Sequence, residues 1–280
     1  MQQVQETIKN FDLKQIARSG QCFRMKEEAP GRFVVLAHGQ RLTVSQEGET
    51  VTFGCTRWEY EGLWRRYFDI ETNYQYYIDH IDPEDRFLAA AVQAGSGIRI
   101  LRQDPWETLV SFIISQNNSI PRITGSIEKL CEICGEKKMG YQEGKSGRLE
   151  AVEWWDFPRP EALLDEKKLE AARLGYRSKY IVRLAQNVID GVVDLEALAK
   201  MEQEQAENYL KAIYGVGAKV ANCVQLFGLH QLDSFPVDTW MKQIIKEEYG
   251  GRFPAEAYSG FLGVIQQYMF FYAREREKKV

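Results

Sequence analysis

Tyr209-Leu210-Lys211-Ala212-Ile213-Tyr214-Gly215-Val216-Gly217-Ala218-Lys219-Val220-Ala221 is the stretch on which the reading of the chain turns. An amphipathic helix runs into a Gly-x-Gly turn, and a second helix with apolar positions Val220, Val224 and Phe227 starts almost at once. The two glycines open backbone angles closed to other residues and remove side chains from the turn. What remains is bare backbone, with N–H groups at a helix start that a phosphate oxygen can approach closely. An ordinary connection closed by a glycine C-cap has the same pattern, so the neighbours decide. Lys219 stands in the first turn of the second helix, where aspartate or glutamate is usual. A cation there faces the positive end of the helix dipole, which disfavours the ammonium form. A neutral amine is a nucleophile, whereas the plain alternative is a solvated surface lysine.

The second informative stretch is Phe235-Pro236-Val237-Asp238-Thr239-Trp240, which opens a helix through Met241, Ile244 and Ile245. Asp238 fits an N-cap whether or not it does chemistry. A helix over 218–229 is about 18 Å long, and the residues from His230 to Val237 can span up to about 27 Å. The chain can therefore return to the end where it began and set Asp238 beside Lys219.

Working outward, residues 23–55 alternate as half-buried strands do. Phe33–Leu36, Arg41–Val44 and Thr50–Phe53 are separated by Gly39-Gln40 and Glu47-Gly48-Glu49, predicting an antiparallel meander. From about Pro83 the periods become helical and do not change back. The expectation is an α+β chain: a small N-terminal sheet unit over 1–85, then a larger all-helical unit over 86–280 in two subdomains. Asp104-Pro105-Trp106-Glu107 marks a helix start. The helix after it carries Ile123, Ile127, Leu130, Cys131 and Cys134 on one face and stops at Gly135. Tyr141 to Gly147 reads as an exposed loop. Further helices are expected near 160–173, 177–190 and 203–213.

Composition sets the outer limits. The chain has 280 residues, 44% hydrophobic and 27% charged, with no apolar run that could span a membrane. The N-terminus lacks the pattern of a signal peptide, so an intracellular compartment is expected, cytoplasm or nucleoid in a bacterium. Five cysteines fit free thiols rather than a disulfide framework. Cys131 and Cys134 form the one CxxC, without two further ligands at metal-site spacing, and no metal is expected. The net charge of −4 weighs against nucleic-acid binding by a broad positive field. Gripping one short stretch of duplex needs only a local basic or dipolar surface.

The string Gly215 to Ala221, followed by Pro236-Val237-Asp238, resembles the helix-hairpin-helix glycosylase superfamily, and more closely its 8-oxoguanine DNA glycosylase/lyases. Ser19-Gly20-Gln21-Cys22-Phe23-Arg24 is similar to that family's SGQxFRW segment, and Phe112 to Ile123, FIISQNNSIPRI, to its FICSSNNNIARI segment. Leu174-Gly175-Tyr176-Arg177 and Gly263-Val264-Ile265-Gln266 to Phe270 also have counterparts, so the matches run in order along most of the chain.

The resemblance implies roles. Lys219 would be the nucleophile and Asp238 its electrostatic partner. The carbonyl of Gly20 would accept the N7–H that 8-oxoguanine has and guanine lacks. Cys223 and Phe270 would sandwich the extruded base, and Gln266, with Gln267 next to it, would bond its Watson–Crick edge. Asn117 would fill the vacated space, Tyr176 would wedge the stack, and Arg122 with Arg177 would read the orphaned cytosine. Gly215, Val216 and Gly217 would hold the DNA backbone. Cys223 and Phe270 are equally plausible as core residues, and Tyr176 as a helix-cap contact. Trp240, Met25, Ser119 and Pro121 depart from the family pattern.

The implied activity is excision of 8-oxoguanine opposite cytosine in duplex DNA, with a Lys219 Schiff base and strand cleavage at the abasic sugar. It needs no cofactor and a monomer suffices. The rivals are a monofunctional alkylpurine glycosylase working with an aspartate and water, and a noncatalytic helix-hairpin-helix DNA-binding module. Neither needs Lys219 beside Asp238.

Overall fold

The computed structural model describes residues 2–143 and 148–277. The meander forms as the alternation predicts, and two more strands join it. β1 (Val4–Thr7), β2 (Met25–Ala29), β3 (Arg32–Ala37), β4 (Gln40–Glu47) and β5 (Thr50–Phe53) make an antiparallel sheet in the order β1-β5-β4-β3-β2. The two strands missing from the sequence reading are the edges. β2 reads MKEEA and exposes Lys26, Glu27 and Glu28. Charge at an edge blocks pairing with another sheet, and it also erases the alternation that marks a strand. Inward residues such as Val35, Leu42, Val51 and Phe53 pack with helix α1 (Leu13–Arg18) and with Tyr60, Trp64 and Phe68 into one apolar cluster.

The second, larger cluster belongs to the helices. Those that matter to the site are α2 (Arg86–Gly95), α3 (Pro105–Ile114), α4 (Ile120–Cys134), α5 (Arg177–Ile189), α6 (Gln203–Ala212), α7 (Ala218–Phe227), α8 (Thr239–Glu248) and α9 (Leu262–Glu277). α3 starts as its sequence signals: Asp104 accepts the Glu107 N–H at 2.9 Å, with Pro105 in the first turn. Ser119 and Pro121, departures from the family pattern, occupy the N-cap and first turn of α4. Cys131 and Cys134 are buried on its inner face. Long α9 packs against α2.

Two expectations are overturned. Helical structure does change back: β6 (Lys137–Glu143) and β7 (Leu149–Trp155) pair as an antiparallel β-hairpin. Residues 141–143 of the expected loop are therefore strand, and 144–147 lie outside the described residues. The signal was weak because Met139, Tyr141 and Leu149 are exposed and no apolar alternation marks a buried face. The Trp154 ring instead lies over Gly140, where a Cβ would stand 3.0 Å away, a glycine covered by a cross-strand aromatic. The helix expected near 160–173 is two pieces, a 3₁₀ turn over Pro160–Leu163 and a short helix over Glu166–Glu170. Asp165 accepts the N–H groups of Lys167 and Lys168 between them and restarts the helix.

Two buried polar side chains join the sheet unit to the helices. Gln21 donates to Arg99 O and accepts from Leu101 N, at 2.9 and 2.8 Å. Arg99, 3% exposed, donates to the carbonyls of Lys9, Asn10, Asp69 and Thr72.

Candidate active site

α6 ends and α7 begins across the Gly215-Val216-Gly217 turn. Gly215 has φ +88°, and a Cβ on it would stand 2.6 Å from the Tyr180 ring. Both facts demand glycine. Gly217 is the N-cap of α7, with no atom within 4 Å of where its Cβ would be, so its bare side faces open space. Val216 is buried and anchors the turn.

Lys219 follows in the first turn of α7, which has no acidic residue. Its Nζ donates to Ser115 Oγ at 3.0 Å and lies 5.0 Å from the centroid of Phe112. The Ser115 hydroxyl donates in turn to Phe112 O at 2.7 Å, so its oxygen meets Lys219 with a lone pair. Phe112 is held between Phe23 and Phe227, giving the amine a rigid aromatic floor. Asp238 caps α8, accepting the Met241 N–H at 2.9 Å. The cap is real, and it fixes the carboxylate where it lines the same cleft as Lys219.

That cleft, about 650 Å³, lies where the end of α3, the starts of α7 and α8, and α9 converge. Gly20, Phe23, Phe112, Asn117, Gly217, Lys219, Asp238, Trp240, Phe270 and Arg274 contribute to its wall. Gly20 has φ +80° and meets Phe270 closely, a Cβ there lying 3.2 Å from the ring. Cys223 and Gln266 do not reach the wall. Cys223 is buried; its burial pushes the thiol up to about 11, with Lys219 pulling it down and Asp238 adding to the rise. Gln266 is buried, and its amide donates to Pro236 O at 3.1 Å while its oxygen accepts from Gln267.

A second cleft of about 810 Å³ adjoins the first through Asn117, Asn118 and Pro121, and contains Arg122, Lys129, Arg173 and Arg177. Arg122 is exposed on it. Arg177 is a strut: its guanidinium donates to Gln116 O, to Asn117 O at 3.2 Å and to Leu174 O at 3.2 Å. Gln116 donates from its side chain to Gly215 O at 2.9 Å, so the loop after α3 braces the helical hairpin. Tyr176 stands outside both clefts, 48% exposed.

Sequence reasoning missed Ser115, Phe112, Gln116 and Arg274. The first three sit in or beside an apolar run that reads as core. Arg274 had a legible signal: it is four residues after Phe270 on α9, and its guanidinium lies 5.3 Å from that ring. Burial holds the Arg274 pKa below its ordinary value, against Glu275 and Asp238. Among the described residues no helix is long and apolar enough to cross a membrane, and no three His, Cys, Asp or Glu side chains are placed to hold a metal.

Comparison with known proteins agrees with this geometry. Residues 3–109 match the 8-oxoguanine DNA glycosylase N-terminal domain, and residues 110–253 match the HhH-GPD superfamily of base excision DNA repair proteins. The N-glycosylase/DNA lyase of Saccharomyces cerevisiae is 35% identical over 198 residues, 66% of this chain and half the length of the yeast protein. Clostridium acetobutylicum 8-oxoguanine glycosylase/lyase in its apo form superposes with a TM-score of 0.87 at 33% identity, covering 97% of this chain and 96% of that one. Its complex with double-stranded DNA containing cytosine opposite 8-oxoguanine gives 0.86 at 32%, covering 99% of both chains. The chain belongs to the 8-oxoguanine DNA glycosylase family of the HhH-GPD superfamily.

Proposed function

We propose that the protein is a bifunctional DNA glycosylase and abasic-site lyase that excises 8-oxoguanine opposite cytosine from duplex DNA. The observation that carries this reading is the meeting of Lys219 and Asp238, from the first turn of one helix and the cap of the next, on one cleft beside a bare helical hairpin.

The chemistry follows from the two groups. The hairpin at Gly215 to Gly217 holds the backbone of the damaged strand, and the nucleotide turns out of the stack into the cleft. The Lys219 lone pair forms a bond to C1′ as the bond from C1′ to the base breaks. The electron pair leaves with the base, which takes up a proton. Positive charge grows on the sugar in that step, and the fixed carboxylate of Asp238 meets it. The attached lysine nitrogen gives up a proton and forms a Schiff base as the C1′–O4′ bond breaks, O4′ taking up a proton as the sugar opens. Loss of a C2′ proton then expels the 3′ phosphate oxygen and cuts the strand.

Gly20 and Phe270, in contact on the cleft wall, suit the roles of lesion reader and stacking face. Cys223 lies behind the wall beside Lys219, and Gln266 must exchange a partner to take up its role. Asn117 lies on both clefts and fits the space left in the stack. Tyr176 is exposed as a wedge requires. The exposure of Arg122 on the second cleft supports its role as a reader of the cytosine, and Arg177 would join it on releasing its carbonyls. Residues 86–280 form the helical unit and 1–85 the sheet unit, each built mainly on its own apolar cluster, with Gly20 and Phe23 of the sheet unit completing the cleft wall. The five free, buried cysteines suit a reducing intracellular compartment, and the site needs no second copy.

The test is borohydride trapping on a labelled duplex bearing 8-oxoguanine opposite cytosine. Wild type is expected to give a covalent adduct on the damaged strand only, and Lys219→Gln none. Base loss that survives Lys219→Gln would reassign the protein as a monofunctional glycosylase.

A further inference from the structure

α5 presents tyrosines toward the helical hairpin. Tyr176 and Tyr180 meet edge to face with centroids 5.7 Å apart, and Tyr180 meets Tyr214 at 5.1 Å with planes at 89°. The absent Cβ of Gly215 lets Tyr180 lie against the turn and fixes where the row sits. An arginine covers each end: Arg177 lies 4.6 Å from the Tyr176 centroid and Arg183 lies 4.4 Å from that of Tyr214. The two differ in what remains free. Arg177 spends its donors on carbonyls. Arg183 is exposed, and among the described residues it has no hydrogen-bonded or ion-paired partner.

A guanidinium laid on an aromatic face keeps its N–H edges open while its stem is held, a form suited to phosphate. Tyr214, 51% exposed, directly precedes Gly215, so this cation continues the surface that the bare turn begins. An exposed cation beside that turn supplies local positive charge that the chain's net charge of −4 does not. Resting on the reading above, we propose that Arg183, positioned by Tyr214, binds a backbone phosphate of the duplex outside the lesion. Arg183 lies six residues along α5 from Arg177, about 9 Å at the helical rise. That distance is roughly two to three nucleotide steps along a strand.

The test is fluorescence anisotropy over a salt series, with an 8-oxoguanine duplex and its undamaged counterpart. Arg183→Gln is expected to weaken both duplexes alike, about five- to tenfold near 0.1 M salt, and to lower the salt slope by about one. Arg65→Gln, the same charge change on the sheet unit, is expected to leave the slope alone. Tyr214→Ala should weaken binding while keeping the slope, because the charge stays and its placement goes. Shortening one duplex arm past the contact should erase the difference between wild type and Arg183→Gln. Wild-type affinity and slope in Arg183→Gln overturn the proposal, and so does a loss that persists whichever arm is shortened. Wild-type trapping together with unaltered Arg183→Gln binding removes only this contact. A wild type that neither traps nor binds DNA removes the reading beneath it.

Discussion

At the scale of single residues, the carboxylate of Asp238 accepts the Met241 N–H and also lines the cleft with Lys219. Its two roles are separable because asparagine caps a helix about as well as aspartate but carries no charge. Asp238→Asn is expected to leave the melting temperature near wild type while single-turnover excision falls on the order of 100-fold or more, the scale of a lost electrostatic contact in a transition state. Asp238→Ala loses the same activity and also about 1 kcal/mol of stability. An Asp238→Asn protein as active as wild type would reduce the residue to its cap. Lys219 and Asp238 were legible in the sequence because each sits where a helix start makes its side chain conspicuous. Ser115 was not, since a serine ending an apolar helix has nothing to mark it until a lysine 104 residues later folds against it.

At the scale of elements, the helical hairpin was the most legible part of the chain, and its two glycines do different work. Gly215 is required by its backbone and by Tyr180, so Gly215→Ala is expected to cost about 1–3 kcal/mol in denaturant unfolding. Gly217 has an extended backbone and open space around it. Gly217→Ala should cost no more than about 1 kcal/mol, the scale of alanine at an N-cap, yet weaken damaged and undamaged duplex alike, because its methyl would stand where the proposed phosphate contact is made. Equal stability losses in the two variants would refute this division. The meander was legible for the physical reason that its central strands bury one face. The edge strands β1 and β2 and the β6–β7 hairpin were not, because their pairing rests on backbone hydrogen bonds with little apolar alternation to advertise it. The expected long helix near 160–173 failed at Asp165, where one side chain ends a run that periodicity alone continues.

At the scale of the whole molecule, the junction between sheet and helices is polar and buried. Asp69 is 3% exposed; Tyr74 donates to it at 3.0 Å, Arg102 bonds it at 2.9 and 3.0 Å, and His230 Nε2 lies 3.2 Å away. Burial pushes its pKa up, but His230 and Arg102 outweigh that and hold it down at about 2, below the ordinary 3.8. A depressed carboxylate contributes stability that is present above its unfolded pKa and lost as pH falls through the folded one. Stability conferred by Asp69 should therefore be full above about pH 5 and drain away between pH 3.8 and 2. The pH-dependent part is about 2 kcal/mol. Unfolding curves of wild type and Asp69→Asn are expected to converge through that window, and a constant gap across it would show that the ion pairs do not set the shift.

The junction at Gln116 has a further consequence. Its carbonyl takes Arg177, which lines the second cleft, and its amide holds Gly215, in the hairpin proposed to grip the damaged strand. Any free energy that the complementary strand spends in drawing Arg177 away is felt at the hairpin, and by linkage the hairpin's occupancy biases Arg177 in return. On the proposed function, Gln116 would link the reading of one strand to the holding of the other. Gln116→Ala should cut that link at Gly215, so that excision depends less on which base stands opposite the lesion; an unchanged ratio between cytosine and adenine duplexes would show that the strands are read independently.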